Sequence, residues 1–291
     1  MLQALITKAE GRPAIFFLLL SLAFYCPLIV GYCFLPLSYL SLTPLWYDPA
    51  VVPKNFDLSD AVISFTPLDE FLKQQISRFS FPFWSPYNLG GHPVAFNGQA
   101  GFFYPPKLLL LTLFPTWLAH GISLCLHTWL AGYSSFLLAQ RFGLSRTAGL
   151  FFAVTWQFNG YLSVWLELSI VGTCAALTPV VILTALGALD SWRYVPAFAA
   201  SLALLVVSCH LQFIINFLLF GMLVGLYLAR PWTAARLSRF VSGVSLGFGL
   251  AAPYLLPSAI LMSLSQRPVV TADFLLSTYR QFLASAAPTM V

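Results

Sequence analysis

AIFFLLLSLAFYCPLIVGYCF, Ala14 to Phe34, contains no charged residue, and its reading decides the class of this protein. As a helix rising about 1.5 Å per residue it covers roughly the 30 Å of a bilayer's hydrocarbon core. A secretory signal is the competing reading. The run is longer than a signal's apolar region and no Ala-x-Ala site follows it, so it reads as a retained first membrane span.

Outward from this stretch, similar runs recur at Trp117–Ala139, Ala148–Leu166, Gly172–Leu189, Val195–Ser208, Phe213–Ala229 and Phe240–Met262. The 195–229 stretch makes two spans if His210-Leu211-Gln212 forms a tight turn at a membrane face. A single tilted span is the alternative, but about 35 residues would make roughly 50 Å of helix. The expected fold is an all-α integral membrane protein of about seven transmembrane helices. Its expected parts are an N-terminus at 1–13, a first transmembrane helix at 14–36, an outer loop with amphipathic helices at 37–116, helices two to seven at 117–263, and the start of a second outer loop at 264–291. The last segment reads as the opening of a longer protein's next loop.

Charge gives the orientation. Only 8% of the 291 residues are charged, against about 25% in soluble domains. Lys8, Arg12, Arg141, Arg146, Arg193, Arg230, Arg236 and Arg239 all fall on one side of a seven-span alternation. Basic residues in short segments mark the cytoplasmic side, so the N-terminus is expected inside and the 37–116 loop outside. Nothing resembles a basic, aromatic-interleaved nucleic-acid surface, and no nucleic-acid partner is expected. The five cysteines lie in apolar segments without a CxxC pair and read as membrane-embedded small residues.

The large loop concentrates the polar chemistry. Tyr47 to Pro106 carries Asp48, Asp57, Asp60, Asp69 and Glu70, five of the nine acids. Asp57-Leu58-Ser59-Asp60 would put two carboxylates on one face of a helix. There they can act as a general base or hold a hard divalent cation, or they form a solvated cap. The run Phe81-Pro82-Phe83-Trp84-Ser85-Pro86-Tyr87-Asn88-Leu89-Gly90-Gly91-His92-Pro93 specifies a fixed series of turns. Within it Trp84 and Tyr87 suit a membrane interface, and His92 is either a phosphate or carboxylate contact or a structural hydrogen-bonding residue. Leu68 to Phe79 has the spacing of an amphipathic helix, fitted to packing on the bilayer or the protein's outer face, or to binding an acceptor. The segment 106–115 is too short to span and is expected to lie along the outer surface or enter the membrane at a shallow angle. His210 and Gln212 interrupt an apolar stretch and need polar partners or a water-filled cavity. Arg267, expected at the outer face, suits a phosphate group or lipid headgroups.

Ser59-Asp60, Pro82-Phe83-Trp84-Ser85-Pro86-Tyr87, Gly90-Gly91-His92-Pro93, Gln99 with Phe103-Tyr104-Pro105, His127 with Leu130-Ala131-Gly132, Cys209-His210-Leu211-Gln212, and Leu250 to Pro257 with Ser265-Gln266-Arg267 occur in this order. The arrangement resembles the YfhO-type bacterial membrane proteins of the multispanning GT-C glycosyltransferase superfamily. The resemblance implies a GT-C-like fold in the cell membrane. It also implies a transferase that moves a sugar from a polyprenyl-phosphate-linked donor to an extracytoplasmic glycan, lipid or protein acceptor. On that reading Asp60 is the base or metal ligand and Asp57 its weaker alternate. Trp84 and Tyr87 stack on sugar, and His92, His210 or Arg267 faces the phosphate. Gln99, Tyr104 and Gln212 complete the substrate-binding set. A divalent cation is left open as cofactor. The competing functions are a transporter or flippase of lipid-linked glycans, which calls for polar groups in mid-span, and a non-catalytic membrane assembly protein.

Overall fold

The computed structural model describes residues 12–264 apart from 55–57, 88–89, 98, 166, 209–213, 216–218, 220, 224, 226 and 228–230. Almost all of its regular structure is helical. In chain order the α-helices are α1 (Arg12–Phe24), α2 (Thr66–Ser77), α3 (Pro105–Leu113), α4 (Thr116–Arg141), α5 (Arg146–Gln157), α6 (Gly160–Val164), α7 (Ser169–Asp190), α8 (Val195–Ser208) and α9 (Ala234–Leu264). Two strands, β1 (Trp84–Ser85) and β2 (His92–Pro93), pair antiparallel with Trp84 opposite Pro93 and Ser85 opposite His92. The chain divides into Met1–Ser258 and Ala259–Val291. In the second unit the described residues, 259–264, are the end of α9, with Ile260, Met262 and Leu264 exposed.

Among the described residues three helices, α4, α7 and α9, are long and apolar enough to cross a membrane. They match the expected runs closely, and α8 covers 195–208 as read from the sequence. Two expected spans are broken instead. The α1 helix stops at Phe24, and the chain passes into a tighter 3₁₀ turn at Cys26–Val30. Pro27, which has no N–H to donate, sits at the start of that turn. The α5 helix stops at Gln157, and Asn159 starts α6 by accepting the Leu162 N–H at 2.9 Å, as asparagine does at a helix start. At 13 and 12 residues, α1 and α5 reach only about 20 and 18 Å.

The core lies around α7. Of its apolar window 83% is buried inside the protein, against 17% for α9, so α7 is central and α9 peripheral. It carries Pro179, which cannot donate to the Ala175 carbonyl one turn back. That carbonyl instead accepts the Trp156 indole N–H from α5 at 3.2 Å. Both α5 and α1 run antiparallel to α4. Gly149 lies beside Ala139 and Gln140, and Gln157 lies beside Gly132. Phe17 packs on Phe136, and Tyr25 on Leu124.

Two ends of the bundle are distinct. At one, Asp190 at the C-terminus of α7 pairs with Arg141 at the C-terminus of α4 (2.5 Å) and with Arg236 in the first turn of α9 (3.2 Å). Arg239 donates to the Leu189 carbonyl. At the other end the loop of residues 35–115 meets the N-terminal half of α4, and Gly101 sits against the Ser208 carbonyl that ends α8. Ser258 of α9 donates to Phe96 at 3.0 Å, and Phe103 lies against Tyr254.

The loop has its own core. Leu68, Phe71 and Leu72 of α2 are buried with Val94, Ala95 and Phe102, and with Leu110 and Leu111 of α3. The apolar face of α2 is therefore packed on protein and is not open to an acceptor. Phe79, expected on that face, lies beyond the helix with φ 51° and is fully exposed.

Candidate functional site

The loop is joined to α4 along one face of the helix. Residues 116, 120, 123 and 127 recur at spacings of four, three and four, so they stack on one stripe. Thr116, His120 and His127 each bond to a residue outside the helix, and Ser123 orients His127 from within it. Thr116 donates to Glu70 at 2.5 Å. His120 Nε2 donates to the Phe34 carbonyl at 3.2 Å. His127 Nδ1 lies 2.6 Å from the Ser123 carbonyl and Nε2 lies 2.8 Å from the Tyr104 hydroxyl. A carbonyl can only accept, so Nδ1 carries the proton. Nε2 is then the acceptor, and Tyr104 donates to it.

Against this stripe lies the one acid–base pair that the loop buries among the described residues. Lys107 Nζ of α3 is 2.5 Å from Asp69 Oδ1 of α2, and it also donates to the Ala100 carbonyl at 2.7 Å. The two side chains keep 19% and 12% of their surface exposed. A cavity of about 270 Å³, open to solvent included, is lined by Asp69, Lys107, His120, Ser123 and Ser169. Burial pushes the Asp69 carboxyl above the ordinary carboxylate range, and the nearby Lys107 ammonium offsets only part of that. A carboxyl held this way exchanges protons closer to neutrality than a free one. Beside it stand the Lys107 ammonium and the His120 ring.

Among the described residues, none of those singled out from the sequence lines this cavity. Asp60 precedes a π-helical turn at Ala61–Phe65; it is exposed, caps nothing, and has no hydrogen-bond or ionic partner among the described residues. Asp57, His210, Gln212 and Arg267 lie outside the described residues. Trp84 and Tyr87 are exposed at 56% and 71%. The Trp84 indole lies against Gly91, where an added Cβ would come within 2.4 Å of it. Gly91 also has φ +107°, so glycine is required there twice over. Tyr87 meets Phe71 edge-on at 6.0 Å. His92 is half-buried, and its Nδ1 is enclosed without a hydrogen-bond partner among the described residues. Gln99 is half-buried, and its backbone N–H is held by the Asn97 side chain. Tyr104 is 4% exposed with its hydroxyl committed to His127, so it positions the loop on α4 and offers no open face to a sugar. Among the described residues no group of three His, Cys, Asp or Glu is placed to hold a metal ion.

Asp69, Lys107 and His120 are not singled out by the sequence: Asp69 is one of five acids in the loop, Lys107 lies in the short apolar segment 106–115, and His120 falls inside a long apolar run. The signal that existed was Lys107 itself, a lone cation heading an apolar nine-residue helix, which needs an anion nearby if that helix is packed.

A scan against protein-family models matched none, and searches of curated proteins and of solved structures returned no match.

Proposed function

We propose that this protein is a multi-pass membrane glycosyltransferase that takes a sugar from a polyprenyl-phosphate-linked donor to an extracytoplasmic acceptor, with Asp69 rather than Asp60 as its base. The observation that carries the reading is the Asp69–Lys107 pair lining one cavity with His120 and Ser123. A lipid phosphate leaves as a stable anion. The enzyme therefore has to place the donor, meet the phosphate charge and take the acceptor's proton. Lys107 meets the charge and Asp69 takes the proton; His120 hydrogen-bonds at the cavity wall. Trp84 and Tyr87 are exposed ring faces at the loop's surface, suited to sugar or to headgroups.

The seven-pass arrangement belongs to the same proposal. Ser208 ends α8 beside the loop, whereas α9 starts at the arginine end, so the chain has to return the length of the bundle between them. The described positions from Ile214 to Tyr227 are helical, and Gly221 and Gly225 lie against Ile182 of α7. With the arginine end inside, the loop is outside and the N-terminus cytoplasmic. The two short passes are completed by the Cys26–Val30 turn and by α6.

The test is transfer from a polyprenyl-phosphate sugar in membranes containing the whole natural protein. Asp69→Asn is expected to abolish it and Asp60→Asn to leave it. The reverse pattern returns the role to Asp60. Transfer that survives both substitutions removes both aspartates as the base, and transfer no greater than in membranes lacking the protein removes the glycosyltransferase reading.

A further inference from the structure

A second cleft, of about 470 Å³ including its open mouth, lies where α1 and α5 stop short against the middle of α4. Its apolar wall is Phe24, Phe158, Leu124 and Leu162. Its polar wall is Tyr25, His127, Thr128 and Gln157. Tyr25 and Thr128 share a hydrogen bond at 2.9 Å. Gln157 is 2% exposed, and its amide N–H₂ donates to the Phe17 carbonyl and to Ser21 Oγ (3.2 and 2.9 Å). Its Oε1 is buried and has no hydrogen-bond donor among the described residues. Gly132 gives this oxygen room, since a Cβ there would come within 2.6 Å of it.

An enclosed carbonyl oxygen without a donor costs about 1–3 kcal/mol unless something donates to it. With no donor among the described residues, a ligand or water entering the cleft can supply one. The ligand's charge class follows from the walls. No charged side chain lines this cleft among the described residues, so a phosphate or carboxylate would be buried without a counter-ion. Hydroxyls fit, because they donate to Gln157 and exchange with the Tyr25–Thr128 pair. The Phe24, Phe158 and Leu162 wall suits an acyl or isoprenoid chain. The first cavity, which holds Lys107, is separate in chemistry but adjacent. Ser169 lines both, and Ser123 bonds to His127.

We infer that this cleft binds the neutral, hydroxyl-bearing head group of a membrane lipid. Beside a cavity that would take a lipid phosphate, it is placed to hold an uncharged lipid acceptor, and that last step rests on the proposed transferase reading.

The experiment uses the full chain in nanodiscs with two photoactivatable probes of identical acyl chains, a diazirine diacylglycerol and a diazirine phosphatidic acid. The diacylglycerol is expected to label peptides spanning 124–131 and 157–169 well above the phosphatidic acid. Gln157→Leu should lower that labelling about tenfold, the loss of one buried hydrogen bond. Because Gln157 also holds α1, a second variant, Ser163→Trp, narrows the exposed mouth and leaves those bonds in place. It should lower labelling with an unchanged melting temperature. Equal labelling by both lipids, or labelling that survives both substitutions, overturns the inference. The readout is binding, so it stands or falls independently of the transfer assay.

Discussion

Asp60 and Asp69 lie nine residues apart in one loop, and their surroundings could hardly differ more. Asp60 stands in solvent at the entry to a π turn with no partner among the described residues. Asp69 is packed into the loop's core one helix later, 2.5 Å from a lysine and beside a cavity. Carboxylates are chemically the same until their environment separates them. Desolvation, a fixed cation and a shaped space around the group set its proton affinity and its use. The Ser59-Asp60 pair drew attention by pattern, whereas Asp69 draws it by physics.

The most direct way to break this contrast is to remove the cation. Lys107→Met leaves the Asp69 carboxyl enclosed without its partner, and such losses cost about 3 kcal/mol. The same change at Lys54, exposed in the loop, should cost less than about 0.5 kcal/mol. Thermal unfolding in detergent compares the two. Pairing Lys107→Met with Asp69→Leu should recover most of the loss, because the buried charge goes with its partner. If Lys107→Met is as mild as its surface counterpart, the pair is not the anchor described here.

Dependence on pH sharpens the same contrast. Asp69 binds its proton more tightly folded than unfolded. Its contribution to stability is therefore complete below the ordinary carboxylate pKa of about 4 and is lost as pH rises through its raised folded value. Asp69→Asn has no such group. The stability difference between wild type and Asp69→Asn should shift against the wild type as pH climbs from 4 toward 8, and should level off once the folded group is ionised. A flat difference across that range contradicts the raised value.

Smaller still is the effect of Tyr104→Phe. It takes away the hydroxyl that donates to His127 Nε2 and leaves that buried nitrogen unsatisfied, at about 1–2 kcal/mol. The ring's apolar packing stays. Because Tyr104 ties the loop to α4, hydrogen exchange in 100–113 should speed up more than exchange near Asp60. Uniform change across the loop would mean that the stripe on α4 is not what holds it.

Much of the bundle was legible from the chain alone. Unbroken apolar runs gave α4, α7 and α8 nearly to the residue, because continuous hydrophobicity of that length has few other uses. The break after Phe24 was not legible, since apolarity continues across it and the local mark is Pro27. The break after Gln157 is marked by Gln157 and by Asn159-Gly160, a turn signal inside a run otherwise apolar enough to read as one span. The amphipathic character of α2 was legible, but its last residue was not. Phe79 keeps the helical spacing while its backbone turns left-handed. Least legible was the site. Asp69 and Lys107 are 38 positions apart, and Tyr104 and His127 are 23 apart. No periodicity joins such pairs; only the folding of α2 and α3 onto α4 does.

Asp60→Asn completes the contrast and should do least. Two small effects act on it. Its charge precedes the helical stretch that begins at Ala61, and an exposed anion at a helix start contributes some tenths of a kcal/mol. Against that, it makes no cap bond and buries no surface. The expected change in stability is within about 0.5 kcal/mol. A loss several times larger would mean that Asp60 has a strong partner after all, and its contrast with Asp69 would fail. A stability left intact together with lost transfer would be more pointed. It would show that an exposed carboxylate with no partner in the folded chain finds its function only when substrate arrives, and the division drawn between these two aspartates would hold for stability but fail for chemistry.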